Sequence, residues 1–221
     1  MKKINYSTEL ANAIRHLLTT EKYVFNFDDD GFFNFSMRID GNINTIHYFI
    51  YIHEKGYTVY AVSPINADKN DNRIMATMAD FICRANYGLR NGNFELDMQD
   101  GEIRYKCFVD CQNTIPNAEI IKTSIFCPAA MFERYGKGFV EIMFGHISAL
   151  KAIKKCEEDL SESDFDIDPD IDSESIDNSA EEQPNDCPDA KNADGMFERL
   201  FSKFGIPVDN QSNDDDDTTD T

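Results

Sequence analysis

The sequence contains no tryptophan, only 7 prolines in 221 residues, and no long hydrophobic run. Its most apolar stretch, residues 48–52, is far shorter than the ~20 residues of a membrane-spanning helix. Lys2 and Lys3 are not followed by the apolar core of a secretory signal, because polar side chains interrupt residues 5–15. We therefore predict a cytoplasmic protein that does not bind membranes.

The short motifs of the common catalytic and cofactor-binding sites are also missing. The chain has no nucleophile elbow, no zinc-protease helix motif, no P-loop and no dinucleotide-binding glycine motif. The four histidines are scattered, and the six cysteines include no CxxC pair and no zinc-ligand spacing. We therefore predict that the protein is not an enzyme and binds no cofactor or metal. Its cysteines are expected to be free thiols in a reducing compartment.

Two features leave alternatives open. Residues 164–172 place an aspartate at every second position, as the start of an EF-hand loop does, but Pro169 and Ser175 occupy the positions of the required glycine and glutamate. We interpret this tract as solvated charge, with weak binding of divalent cations as the alternative. An enzyme with an unrecognised site would use Cys111 or the carboxylates of residues 28–30, which otherwise fit a turn between strands.

Charge divides the chain into two parts. Residues 157–221 hold 23 of the 41 acidic residues and only 3 of the 21 basic residues, so they account for the whole net charge of −20. Residues 1–156 are electrically neutral. Because binding to nucleic-acid phosphates requires an excess of lysine and arginine, this balance excludes a nucleic-acid-binding protein that works through a basic face.

Residues 1–156 alternate between helical and extended hydrophobic patterns, and turn residues separate the patterns. Helices are predicted at about residues 8–21, between the cap Asp71 and Gly88, at 116–135 and at 139–158. Strands are predicted at residues 23–27, 33–39, 45–53, 57–63, 94–98 and 103–109. Pro128 predicts a kink or a split in the third helix, and Gly136 and Gly138 predict its end.

The order α-ββββ-α-ββ-αα predicts an α+β fold in which helices pack on an antiparallel sheet. In residues 45–53, alternation places the apolar even-numbered side chains on one side of the strand and the odd-numbered side chains, which include Phe49 and Tyr51, on the other. About 155 residues are enough for a single core. We therefore predict one folded domain over residues 1–156.

An acidic segment with one apolar interruption follows the predicted domain. Residues 157–194 and 208–221 are rich in Asp, Glu, Ser and Asn, a composition that predicts disorder. Residues 195–207 are partly apolar. If they form a helix, the apolar side chains lie along a single stripe, which we predict to bind protein: Met196, Phe197, Leu200, Phe201 and Phe204. Because about ten residues do not hold a helix in water alone, this segment requires a surface on which to fold.

The strongest hairpin pattern carries a resemblance to a known family. Residues 85–88 and 92–106, which include Phe94-Glu95-Leu96-Asp97 and Asp100-Gly101-Glu102, resemble the hairpin of the bacterial YbjN family. The strand at residues 33–40 and the glycines Gly136 and Gly145 are similar as well, so the resemblance covers about residues 8–150. The family's usual label is sensory transduction regulator, and its fold is similar to that of type III secretion chaperones. The resemblance implies a binding role in proteins that commonly form dimers and hold extended segments of other proteins.

These observations lead to one main hypothesis and two alternatives. The main hypothesis is a non-enzymatic module that binds a protein or peptide, chaperone-like or as a regulatory adaptor. In this hypothesis residues 196–204 dock either on their own domain or on a partner. The alternatives are the enzyme with an unrecognised site and an acidic protein that sequesters basic partners. Binding of basic partners by such an acidic protein would weaken strongly as the salt concentration rises.

Overall fold

Helices and strands follow the predicted order in residues 5–112 and 114–158, the part of the chain that the computed structural model describes. The elements are α1 (Thr8–Thr20), β1 (Phe25–Phe27), β2 (Phe32–Arg38), β3 (Thr45–Ile52), β4 (Gly56–Val62), α2 (Asn72–Asn86), β5 (Asn93–Leu96), β6 (Ile103–Asp110), α3 (Ala118–Gly145) and α4 (Ala149–Glu158). The predicted α+β layout is confirmed. None of the helices within these ranges has the length and apolar character needed to cross a membrane.

The strands form one six-stranded antiparallel sheet in the order β1-β2-β3-β4-β6-β5. The first four strands are neighbours in sequence, as short turns require, and β6 then pairs with β4 while β5 lies outside it. Both outer strands are short, with 3 residues in β1 and 4 in β5. The long central strands therefore form most of the sheet.

Alternation along each strand directs one set of side chains into the core. Phe33, Ile50, Val59 and Cys107 lie side by side across four strands, and each is 0% exposed. In β3 the even-numbered residues, which were predicted to share one side, are the buried ones. Helices α2 and α3 contact strands of this sheet, and α3 also contacts α1 and α4. The core therefore lies between one side of the sheet and the helical layer.

Buried tyrosine hydroxyls fix the sheet to α3. Tyr48 donates a hydrogen bond of 2.8 Å to the carbonyl oxygen of Ile125, and the hydroxyls of Tyr57 and Ser124 are 2.8 Å apart. Burial raises the pKa of both tyrosines above the usual value, so both stay protonated at neutral pH. Because an unpaired hydroxyl would be costly in this apolar layer, these bonds help to set the position of the helix.

Polar side chains cap the first two helices. Ser7 accepts a hydrogen bond from the Leu10 backbone N–H, and Asp71 accepts two, from Arg73 and Ile74. The predicted cap of α2, Asp71, is therefore confirmed, and Ser7 is the cap of α1. Gly88 follows α2 with φ of +87°, a left-handed conformation that glycine adopts without strain.

The predicted split of the helix at Pro128 and its predicted end at Gly136 and Gly138 are wrong, whereas a kink at Pro128 stays a prediction. Helix α3 continues through all three residues from Ala118 to Gly145, and the chain turns instead at His146, whose φ is +51°. A proline inside a helix costs ~3 kcal/mol or more, yet most residues of α3 from 121 to 142 are buried. The packing of this helix therefore outweighs the local preference, and the last helix begins at Ala149 rather than at residue 139.

The two glycines serve close packing instead of ending the helix. A Cβ atom at Gly138 would lie 2.6 Å from Cε2 of Phe81 and 3.1 Å from Sγ of Cys156. A Cβ atom at Gly136 would lie 3.2 Å from the side chain of Ile43. Because glycine has no side chain, α2, α4 and the β2–β3 loop approach α3 more closely here than another residue allows.

Candidate binding surface

One side of the sheet has none of the described helices packed on it. Apart from the buried Thr58, the side chains on this side are exposed or partly buried, whereas the side chains that alternate with them form the core. Five aromatic residues lie there, and we call this group the aromatic face: Phe32, Phe49, Tyr51, Tyr60 and Phe108. Sheets that are covered on one side normally expose polar residues on the other, so the aromatic composition requires an explanation.

The strand register brings these rings together. Phe32 lies opposite Tyr51, and Phe49 lies opposite Tyr60, across neighbouring strands. The Phe32 and Phe49 rings stack with centroids 5.8 Å apart, and Tyr51 lies 4.7 Å from Phe32 and 5.9 Å from Tyr60. Phe108 lies on β6 in the row of Phe32 and Tyr51, with Thr58 of β4 between it and Tyr51, and is 58% exposed. Four rings therefore form one cluster across β2, β3 and β4, and with Phe108 as a separate fifth ring on β6 they make up an apolar platform.

Charged side chains border the platform on β5 and β6. The Arg104 guanidinium lies 4.6 Å from the centre of the Tyr60 ring, a cation–π contact. Glu95 holds it in place through a 2.8 Å bond and also lies 3.4 Å from the Lys106 ammonium. Desolvation by burial is the largest single influence on the pKa of Arg104 and lowers it. The hydrogen bond and the charge of Glu95 raise the pKa, and the overall shift is upward.

Hydrogen-bonded polar side chains border the platform along β1–β4. Ser36 Oγ and His47 Nδ1 are 2.9 Å apart, and Asn26 donates a 3.2 Å bond to Asn34. At the opposite end of β3, His53 Nε2 lies 3.1 Å from Thr58 Oγ1. An apolar centre within a polar border is the arrangement typical of protein–protein interfaces.

A cleft lies where β6 extends beyond β5. Strand β5 pairs with residues 103–106 of β6, so residues 107–110 have no strand partner on that side among the described residues. A cleft of about 280 Å³ lies beside this free edge, with Val109, Ile120 and Ser124 in its lining. Because none of the aromatic side chains that the structure describes lines this cleft, we take the aromatic face as the candidate binding surface.

The residues that the sequence singles out for protein binding lie elsewhere in the chain. Met196, Phe197, Leu200, Phe201 and Phe204, with the acidic segments that flank them, lie outside the described residues. Their docking therefore stays a prediction. Sequence reasoning missed the aromatic face, although Phe49 and Tyr51 were predicted to share one side of β3.

The two positions considered for an unrecognised active site have structural roles. Asp28 accepts hydrogen bonds from the backbone N–H groups of Asp30 and Phe32, as expected of a turn. Cys111 is buried, and burial, with a smaller contribution from Asp110, raises the pKa of its thiol. A raised pKa lowers the fraction of reactive thiolate at neutral pH. Within the described ranges, no group of three or more His, Cys, Asp or Glu residues has metal-binding geometry.

The thiols of the described residues differ sharply in exposure, which leads to a prediction. Burial raises the pKa of Cys107 and Cys156 to about 11 and that of Cys127 to about 12, whereas Cys83 is exposed. At neutral pH only about 1 in 10⁴ or fewer of the buried thiols is ionised. We expect iodoacetamide to modify Cys83 first among these four, as measured by mass spectrometry of proteolytic peptides.

Urea provides the control for this labelling, because unfolding exposes every cysteine and should equalise the rates. If Cys107, Cys127 or Cys156 reacts as fast as Cys83 in the folded protein, the packing described above is incorrect.

Comparisons with known proteins give no relative for this chain. No protein-family model, no curated protein and no solved structure matches it. The resemblance to the YbjN family therefore stays a prediction, and the geometry of the described residues is the basis for a function.

Proposed function

We propose that this protein is a non-enzymatic module that binds an apolar segment of another protein on its aromatic face. The observation that carries the proposal is the platform of five aromatic rings on the side of the sheet that no described helix covers. Such a module would act as a chaperone-like protein or a regulatory adaptor. The free thiols of the described cysteines agree with a reducing location such as the cytoplasm.

The energetics of aromatic side chains support a binding role. Each aromatic ring buries a large apolar area on binding, and aromatic residues are prominent among the few that dominate binding energy. Rings held against one another lose little side-chain entropy when a partner arrives, because their neighbours already restrict them. Tyr51 and Phe108 are 44% and 58% exposed, so their rings have area left to bury.

The geometry favours an apolar partner over a basic one. The centre of the face consists of phenylalanine and tyrosine, and the charges at its border already include both signs. Binding through the rings should therefore change little with salt, whereas capture of basic partners by the acidic residues beyond 156 would weaken steeply. Salt dependence thus separates this proposal from the sequestering alternative.

Paired substitutions on the face provide the test. Short peptides are selected from a displayed random library on the immobilised full chain, and their dissociation constants are measured with synthetic copies. We expect Tyr51→Ser with Tyr60→Ser to weaken binding at least about thirtyfold, which corresponds to the loss of ~2 kcal/mol expected for one dominant aromatic residue.

The matched control is Tyr87→Ser. Tyr87 is 77% exposed and lies at the end of α2, outside the aromatic face, so its loss should leave peptide binding unchanged. Circular dichroism establishes that all variants keep their secondary structure. If the selected peptides bind the double variant as tightly as the unchanged chain, the aromatic face is not the binding surface.

A further inference from the structure

We propose that residues 194–207 of this same chain form a short helix that lies across the aromatic face and competes with other ligands. The inference rests on the proposed function, because it assigns an occupant to the same surface. The helix would place its apolar stripe, Met196, Phe197, Leu200, Phe201 and Phe204, against the rings of Phe32, Phe49, Tyr51, Tyr60 and Phe108.

The dimensions of the two surfaces match. Residues 196–204 in helical form span about 13 Å at a rise of ~1.5 Å per residue. The face extends from Phe32 on β2 to Phe108 on β6, which is three strand spacings. At ~4.8 Å per spacing this distance is about 14 Å. One short helix laid across the strands therefore covers the platform from one end to the other.

The charges permit this docking without adding to it. Asp194 and Asp209 flank the apolar stripe, and residues 214–217 are four further aspartates. At its β6 side the platform is bordered by Arg104 and Lys106, which pair with Glu95 and Glu102, so this border has no net charge. The acidic flanks are therefore not repelled there.

The connecting segment is long enough for the helix to reach the face. Helix α4 ends at Glu158 in the helical layer, and 36 residues separate it from residue 195. The opposite side of the sheet lies about two layers away, or ~20 Å at ~10 Å per layer. A coil of this length has a root-mean-square extension of about 30–36 Å. The tether therefore spans the distance without being stretched.

The tether converts weak docking into substantial occupancy. Effective concentrations for such linkers are of the order of 1 mM. If the detached helix binds the face with a Kd of about 0.1 mM, the face is occupied about ten times as often as it is free. An external peptide then binds about tenfold more weakly than it would bind an empty face, so the segment regulates access to the surface.

A single tryptophan reports directly on this docking. The chain has no tryptophan, so Phe201→Trp in the full-length protein gives one fluorescent probe within the proposed helix. We expect blue-shifted emission and protection from acrylamide, both independent of protein concentration. Adding Tyr51→Ser with Tyr60→Ser should abolish both effects, and adding Tyr87→Ser should leave them intact.

Binding of the library peptides gives a second readout. Phe197→Asp with Phe204→Asp should empty the face and strengthen peptide binding about tenfold. Glu198→Gln with Lys203→Gln changes the polar side of the same helix and is the matched control, for which we expect no gain.

Three results would overturn the inference. The first is tryptophan emission equal to that of a free synthetic peptide of residues 194–207 with the same substitution, which means no docking. The second is protection that survives the substitutions on the face, which means docking elsewhere. The third is protection that rises with concentration, which means docking onto a second copy of the chain. Loss of library-peptide binding in the face variant would still support the proposed function in each case, so the two proposals fail separately.

Discussion

Replacing Phe94 with alanine is expected to remove about 3–5 kcal/mol of the free energy of unfolding, the range typical of deleting a buried phenylalanine ring. Phe94 is 2% exposed and meets Tyr105, Phe132 and Phe139 edge to face, with ring centroids 4.9 to 5.3 Å apart. Its loss leaves a cavity between β5 and α3 that these rigid rings cannot close. Urea denaturation followed by circular dichroism measures the change.

Phe144→Ala is the matched control for this prediction. Phe144 also lies on α3, but its side chain is 69% exposed, so its removal should change stability by less than about 0.5 kcal/mol. Domains of this kind are stable by only about 5–15 kcal/mol, so Phe94→Ala is expected to remove a large part of that stability. A loss as small as that of Phe144→Ala would show that Phe94 is not part of a tightly packed cluster.

Gly138→Ala is expected to destabilise the protein by about 1–3 kcal/mol, although alanine is the better helix former. The new methyl group would overlap the ring of Phe81, which is 0% exposed and contacts Phe139 at 5.2 Å. Neither ring has space into which it can move. The midpoint of urea denaturation should therefore fall, with little change in its slope.

Gly145→Ala provides the contrast within the same helix. A Cβ atom there meets nothing closer than 3.9 Å, and the backbone φ lies in the ordinary range. We expect this substitution to be neutral or to stabilise the protein by up to about 1 kcal/mol. If both substitutions stabilise the protein, Gly138 does not have the close-packing role described here.

Strand alternation, helix caps and the length of α3 show which parts of the fold could be predicted from the sequence. Residues 46–52 alternate so regularly that the buried side of β3 follows from the pattern alone, and Ser7 and Asp71 have the residue types of caps. The continuity of α3 could not be predicted in this way. It depends on Phe81, a residue distant in sequence that occupies the space left by Gly138.

The aromatic face could be predicted only in part. Alternation places Phe49 and Tyr51 on the side of β3 that points away from the core. The sequence does not state which residues of β2 and β4 lie beside them, because this depends on strand register. Pairing of Phe32 with Tyr51 and of Phe49 with Tyr60 turns separate exposed rings into one surface. The signal available beforehand was the presence of aromatic residues at positions where a one-sided sheet usually carries polar ones.

The brevity of the outermost strands has a consequence for solubility. A long, flat border strand offers a row of unpaired amide and carbonyl groups on which another molecule can extend the sheet, a common route to fibrils. Here β1 has 3 residues and β5 has 4, and the Asn86 side chain bonds both the N–H and the C=O of Phe94. The molecule thus exposes the apolar aromatic face, but these two strands do not offer a template for fibril growth.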